Sequence, residues 1–171
     1  IPDRGSFSWG YPSKDSSGAA DQKIVITAPA ASVEDSIFVP VSSGSKPGLV
    51  CLVQDLKRRN TPPEKWFFKA EKGVFLSPAT NTDLVLCVSG KKGDTGRYLH
   101  CLEGETGKEK WKTKVDQNAT GIFSMTREKV YVQNKEKNLT CLDLSGNILW
   151  ERETGSLSGP LYYLGSAIIT V

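Results

Sequence analysis

A chain of 171 residues with 38% hydrophobic content can bury a core, and no stretch approaches the run of about 18 apolar residues that a transmembrane helix needs, which excludes direct membrane insertion by a helix. The 22 basic and 19 acidic residues are interleaved and leave a formal charge of +3, so there is no single-sign field of the kind that binds nucleic acid. Ile1-Pro2-Asp3-Arg4 has neither a start methionine nor the apolar core of a signal peptide, and the first residue reads as internal to a longer polypeptide.

Residues 1–22 are rich in Ser, Gly, Asp and Pro and hold one aromatic cluster, Phe7, Trp9 and Tyr11. Composition makes them a leader loop or the end of a preceding repeat. The first full repeat spans 23–70. Its inner strand is expected at Lys23–Thr27, running into Ala28-Pro29-Ala30, and the β-branched and aromatic run Ser36–Val41 is the second strand. Gly48–Val53 and Lys65–Phe68 supply the third and fourth. Between them an insertion, Leu56–Pro63, carries Lys57, Arg58 and Arg59 on a proline-stiffened turn.

The second repeat, 73–115, is expected to open with a strand over Val74–Ala79, where Pro78-Ala79 echoes Pro29-Ala30. Asp83–Val88, Tyr98–Leu102 and Lys110–Val115 follow as its other strands, with a turn at Lys91–Gly96. The third, 121–154, is compact, with strands at Gly121–Ser124, Lys129–Val132, Asn138–Leu142 and Ile148–Trp150. An incomplete fourth, 157–171, has strands around Leu161–Tyr163 and Ala167–Val171. Helical periodicity is absent throughout, and short alternating runs between Gly, Ser, Asn and Pro turns are the all-β signal.

One hairpin organises these repeats. Cys101-Leu102-Glu103-Gly104-Glu105-Thr106-Gly107-Lys108-Glu109-Lys110-Trp111 reads as a strand end, a tight turn at Thr106-Gly107 and a second strand carrying an indole. Cys141 to Trp150 repeats it one residue shorter, and Cys51 leads to Trp66 across the insertion. Trp66, Trp111 and Trp150 lie 45 and 39 residues apart, the period of four-stranded propeller blades. The hairpin resembles the tryptophan-docking motif of the quinoprotein-type β-propellers, Ala-x-Asp-x-x-Thr-Gly-x-x-x-Trp, with Cys101 in place of Ala and Glu103 in place of Asp.

That resemblance implies an all-β fold, a β-propeller of four-stranded antiparallel blades, of which this chain holds about three and the start of a fourth. It implies that Trp111 and Trp150, and less directly Trp66, dock between adjacent blades, with Gly107 and Gly146 supplying the turn conformation. Cys51, Cys101 and Cys141 then fill the small-residue slot of the motif as buried free thiols. Cys87 and Cys101 lie on two strands of one hairpin and could face each other. The spacings form no Cys-x-x-Cys knuckle, and with one histidine a zinc site is not expected.

The quinoprotein enzymes carry pyrroloquinoline quinone and calcium beneath a vicinal Cys-Cys pair, and the four cysteines here are isolated. The expectation is therefore a non-catalytic scaffold without a cofactor, which binds a protein partner, a ligand or the remainder of its own propeller. The alternative is a segment of a quinone-dependent dehydrogenase whose catalytic residues lie outside this chain. The family resemblance also favours an extracytoplasmic location, and two sequons, at Asn118 and Asn138, permit one. His100, between Leu99 and Cys101, reads as an ordinary strand residue, because chain neighbours on a strand point to opposite faces. An incomplete propeller would expose strand edges and self-associate; the competing arrangement is a small four-bladed ring closed by pairing of residues 7–9 with the final strands.

Overall fold

The computed structural model describes residues 24–43, 46–54, 63–74, 76–90, 96–115, 119–134, 138–153, 161–164 and 167–170. The aromatic cluster of residues 1–22, the insertion with Lys57, Arg58 and Arg59, and Asn118 lie outside them. Among the described residues every regular element is a β-strand, and the strands form four antiparallel sheets in chain order.

The first sheet contains β1 (Ile24–Ile26), β2 (Ala31–Val33), β3 (Ser36–Ser43), β4 (Lys46–Val53) and β5 (Glu64–Lys69). The second is β6 (Ala79–Thr80), β7 (Leu84–Ser89), β8 (Arg97–Glu103) and β9 (Glu109–Val115), each strand paired with the next. The third repeats that order with β10 (Ala119–Met125), β11 (Lys129–Asn134), β12 (Asn138–Asp143) and β13 (Ile148–Glu153). A two-stranded sheet, β14 (Leu161–Leu164) and β15 (Ala167–Thr170), follows. Successive sheets approach through short inner strands, β2 to β6, β6 to β10 and β10 to β14, so the sheets stand side by side as propeller blades around a shared inner side.

The inner strands differ from the sequence expectation. In the first sheet the strand expected over Lys23–Thr27 is β1, paired with Val41–Ser43, and a further short strand not expected from the sequence, β2, follows Pro29 and pairs with Ser36–Phe38. In the second, the expected Val74–Ala79 strand reduces to one bridge, Val74 to Ser89, and the short β6 after Pro78. Proline has no N–H to give the ladder, so each Pro-Ala pair marks a break in an inner strand rather than its interior. The third sheet interrupts the same position with a register shift between Ala119 and Phe123.

Because a blade is covered on both faces, its middle strands are apolar at consecutive positions. All six residues of β7 are buried. Val85 and Cys87 join Phe38, Leu49, Cys51 and Trp66 of the first sheet, while Leu84, Leu86 and Val88 join Val130, Val132 and Leu142 of the third. Two-residue alternation therefore deals one strand into two cores.

The three outer hairpins share a bulge. Cys51 opposes Trp66 and Leu52 opposes Glu64, passing over Lys65; Cys101 and Leu102 oppose Trp111 and Glu109, passing over Lys110; Cys141 and Leu142 oppose Trp150 and Ile148, passing over Leu149. An extra residue on one strand bends it and re-aims the side chain beside it, here the indole in each case.

All four cysteines are buried free thiols. Cys87 faces His100 and Cys101 faces Leu86, so the two sulfurs of this hairpin lie on opposite faces of the sheet rather than across from each other. Burial raises the pKa of every thiol, that of Cys101 to about 11. Iodoacetamide at pH 8 is expected to leave all four unmodified in the native protein and to alkylate four after denaturation. Native modification of Cys87 or Cys101, or an intact mass short by two protons, would contradict this assignment.

Candidate functional site

The joints between blades are built from the indole of one sheet and the turn of the next. In the turn after β8, the Gly107 N–H donates to Glu103 O at 2.8 Å and the Glu103 N–H to Lys108 O at 2.9 Å. The Thr106 hydroxyl donates to the Glu103 carboxylate at 2.5 Å, and the Lys108 N–H reaches the same hydroxyl at 3.2 Å. Gly107 has φ 71°, and a Cβ there would sit 2.5 Å from Cδ2 of Trp66. Only a hydrogen fits between backbone and indole. The Trp66 Nε1–H donates to Gly104 O at 2.9 Å, which satisfies the buried ring's one polar atom, and Lys65 on the bulge pairs with Glu105 at 2.5 Å.

The next joint has the same parts. The Trp111 Nε1–H donates to Leu144 O at 2.5 Å, and a Cβ on Gly146, at φ 86°, would meet that indole at 2.7 Å. Thr113 adds a hydroxyl bond to Gly146 O at 2.8 Å. Asp143 holds this turn by accepting the Ser145 and Asn147 N–H groups at 2.8 and 2.9 Å, and the Asn147 amide beside it keeps its carboxyl below the usual range. Trp150 contacts its own sheet, with the Tyr131 ring at 6.1 Å and the Arg152 guanidinium at 5.5 Å. Trp66, preceded by the insertion, is the most buried of the three at 8% exposure, while Trp111 and Trp150 are half-buried.

A second arrangement lies where the first two sheets meet. Ser89 ends β7, His100 is on β8 and Glu109 begins β9; the antiparallel register puts them on one face, toward the first sheet. Ser89 Oγ is 2.6 Å from His100 Nε2, and Glu109 Oε2 is 2.6 Å from His100 Nδ1. Ser89 and His100 are buried, and Glu109 reaches solvent. Phe68 of β5 covers the imidazole, ring centres 5.2 Å apart. Burial lowers the His100 pKa, and the bond to Glu109 opposes that only in part. A carboxylate can only accept, so the proton of the neutral ring is on Nδ1, Nε2 is the acceptor and the Ser89 hydroxyl donates to it. All three residues line a cleft of about 250 Å³, together with Lys69, Lys72, Tyr98 and Lys112.

His100 is a strand residue of β8 with Cys101 on the opposite face, as expected, and its imidazole is in addition buried and bonded at both nitrogens. Its partners are 11 and 9 residues away, and the available signal was the hairpin register itself, which places every second residue of adjacent strands on a common face. Among the described residues no group of three or more His, Cys, Asp or Glu is placed to hold a metal ion.

The family model of the outer membrane protein assembly factor BamB matches residues 53–170. No curated protein matches the chain by sequence. Among solved structures, BamB from Moraxella catarrhalis superposes with a TM-score of 0.64 at 15% identity over 92% of this chain, which spans 44% of that one. The computationally designed Ika4 protein gives 0.69 at 12% identity over 97% of this chain and 91% of its own. A europium-containing methanol dehydrogenase gives 0.51 at 19% identity over 75% of this chain and 26% of its own. These likenesses establish the propeller fold.

Truncating Trp66 to Ala should cost about 3–5 kcal/mol, through lost burial and the cavity left behind. Gly107→Ala should destabilise as well, since the left-handed conformation alone disfavours a Cβ by about 1–2 kcal/mol before the clash with the indole. Denaturant midpoints equal to that of Lys110→Ala would refute the interlock. A separate prediction concerns pH. His100 is held neutral in the fold, so its folded pKa lies below the unfolded value, and stability is full above about pH 6.5 and falls as the pH drops below it. Melting curves between pH 7 and 5 should show this loss in the native sequence and a smaller one in His100→Gln; equal slopes would rule it out.

Proposed function

The chain belongs to the BamB outer membrane assembly factor family, and from that premise we propose that it serves as a rigid, cofactor-free propeller scaffold that binds a protein partner. The observation that carries this reading is the repeated joint, an indole lodged over a glycine turn with its N–H on a backbone carbonyl, at both described contacts between full blades. Such a frame holds loops in fixed relative positions, and recognition concentrates on loops of rigid scaffolds.

The surface assigned to the partner is the insertion Leu56–Pro63. Lys57, Arg58 and Arg59 give it three adjacent cations between two strands of one blade, suited to an acidic face on the partner. Outer strands β9 and β13 alternate or expose their side chains, and Ile148 and Leu149 are about half exposed, which offers further contact area beside the loops.

The test is cross-linking of the full-length protein in its own cells. Replacing Lys57, Arg58 and Arg59 with Glu should reduce the yield of one discrete cross-linked protein by about tenfold or more, as expected for loss of complementary charge, with the melting temperature unchanged. Unchanged cross-linking would exclude this loop as the contact. Dye reduction by the full-length protein that depends on added pyrroloquinoline quinone and calcium would overturn the cofactor-free reading in favour of a dehydrogenase.

A further inference from the structure

We propose that Ser89 is an acyl-accepting nucleophile, activated by His100 and oriented through Glu109, in a cleft that takes small anionic esters. This activity is additional to the scaffold role and does not depend on it. The geometry satisfies two requirements of a serine nucleophile, a hydrogen bond from hydroxyl to base and one from base to a carboxylate, both at 2.6 Å and through the correct ring nitrogens. Since Nδ1 carries the proton and Nε2 accepts, the serine hydroxyl proton already points along the path by which it would leave.

The surroundings choose the substrate class. The cleft, about 250 Å³, admits only a small molecule, and its charged lining is three lysines, Lys69, Lys72 and Lys112, against Glu71 and the Glu109 already engaged by His100. Lys112 stands directly opposite His100 in the ladder, with its ammonium 4.5 Å from the Tyr98 ring centre, and is the cation placed to pair with the carboxylate of an anionic ester. Ser89 and His100 are both nearly excluded from solvent, at 6% and 5% exposure, a setting in which such charges act strongly.

The reaction is ordinary ester hydrolysis in two halves. Ser89 Oγ bonds to the ester carbonyl carbon while its proton passes to His100 Nε2; the bond to the alcohol oxygen breaks, and that oxygen takes the proton from Nε2. Water then adds to the acyl-serine, giving a proton to Nε2, and Ser89 departs with it, so that one ester and one water become one acid and one alcohol. Glu109 acts through His100 and is a positioning residue.

Two probes test this on the full-length protein: a fluorophosphonate, which loses fluoride to an activated serine, and the pair 4-nitrophenyl succinate and 4-nitrophenyl acetate. Intact mass and peptide mapping should show one adduct, on Ser89, absent in Ser89→Ala. Glu109→Gln, at a partly exposed position that should leave the fold intact, is expected to slow adduct formation by about 10²-fold or more, as loss of base orientation does. The succinate ester should be turned over faster than the acetate, and Lys112→Gln should erase that preference. A folded native protein that forms no adduct on Ser89, or a folded Glu109→Gln that forms it at the native rate, would overturn the proposal. Equal turnover of both esters would overturn the anionic specificity.

Discussion

The structure depends on the seating of an indole from one sheet against a turn of the next. Two apolar sheet faces can slide over one another at little cost, because burial is non-directional. Trp66 and Trp111 remove that freedom. Each indole meets a glycine where no Cβ fits and gives its N–H to a carbonyl two or three residues away, Gly104 or Leu144, so that shape and hydrogen bonding are satisfied in one register only. The bulge at Lys65 and Lys110, one residue before each indole, bends the outer strand where the ring leaves it.

Polar groups at these joints must be paired within the protein, because water is excluded from them. Thr113 does so with Gly146 O and Thr27 with Val74 O. His100 is the most consequential case. Its ring faces the first sheet under Phe68, and Ser89 and Glu109 take up both of its nitrogens. A neutral imidazole with a serine on one side and a carboxylate on the other is a way to bury a histidine, and it is also the arrangement that gives a hydroxyl nucleophilic character. Stability and reactivity draw on the same two hydrogen bonds.

A rigid repeated frame separates what is shared from what is individual. The interlocks recur from blade to blade and hold the architecture, whereas the Leu56–Pro63 insertion belongs to one blade and the Ser89–His100–Glu109 group to one joint. That division accounts for a fold shared with other propellers at 12–15% identity, since the turn glycines, the indoles and the alternation are what the fold requires. Ser89, His100 and Glu109 sit on strand positions that the shared frame fixes.

Much of the architecture was legible in the sequence because its causes are local. The turn at Thr106-Gly107, the β-branched runs such as Ser36–Val41 and the 45- and 39-residue spacing of the tryptophans each follow from residues close in the chain. The inner strand of the second sheet was overestimated because Pro78 sits inside the run Val74–Ala79, and β2 of the first was missed, since only the sheet partners show where the ladder stops and resumes. The bulges were invisible for the same reason, since a bulge is defined by the strand across from it. The bonding of His100 was not legible because its partners stand on β7 and β9, 11 and 9 residues away. By itself the sequence determined the repeat, the strands and the indole hairpins, through short-range backbone preference and hydrophobic alternation. The tertiary structure alone decided which carbonyl each indole binds, which faces the cysteines take and which groups surround the one histidine, because those depend on strand register and on the approach of a neighbouring sheet.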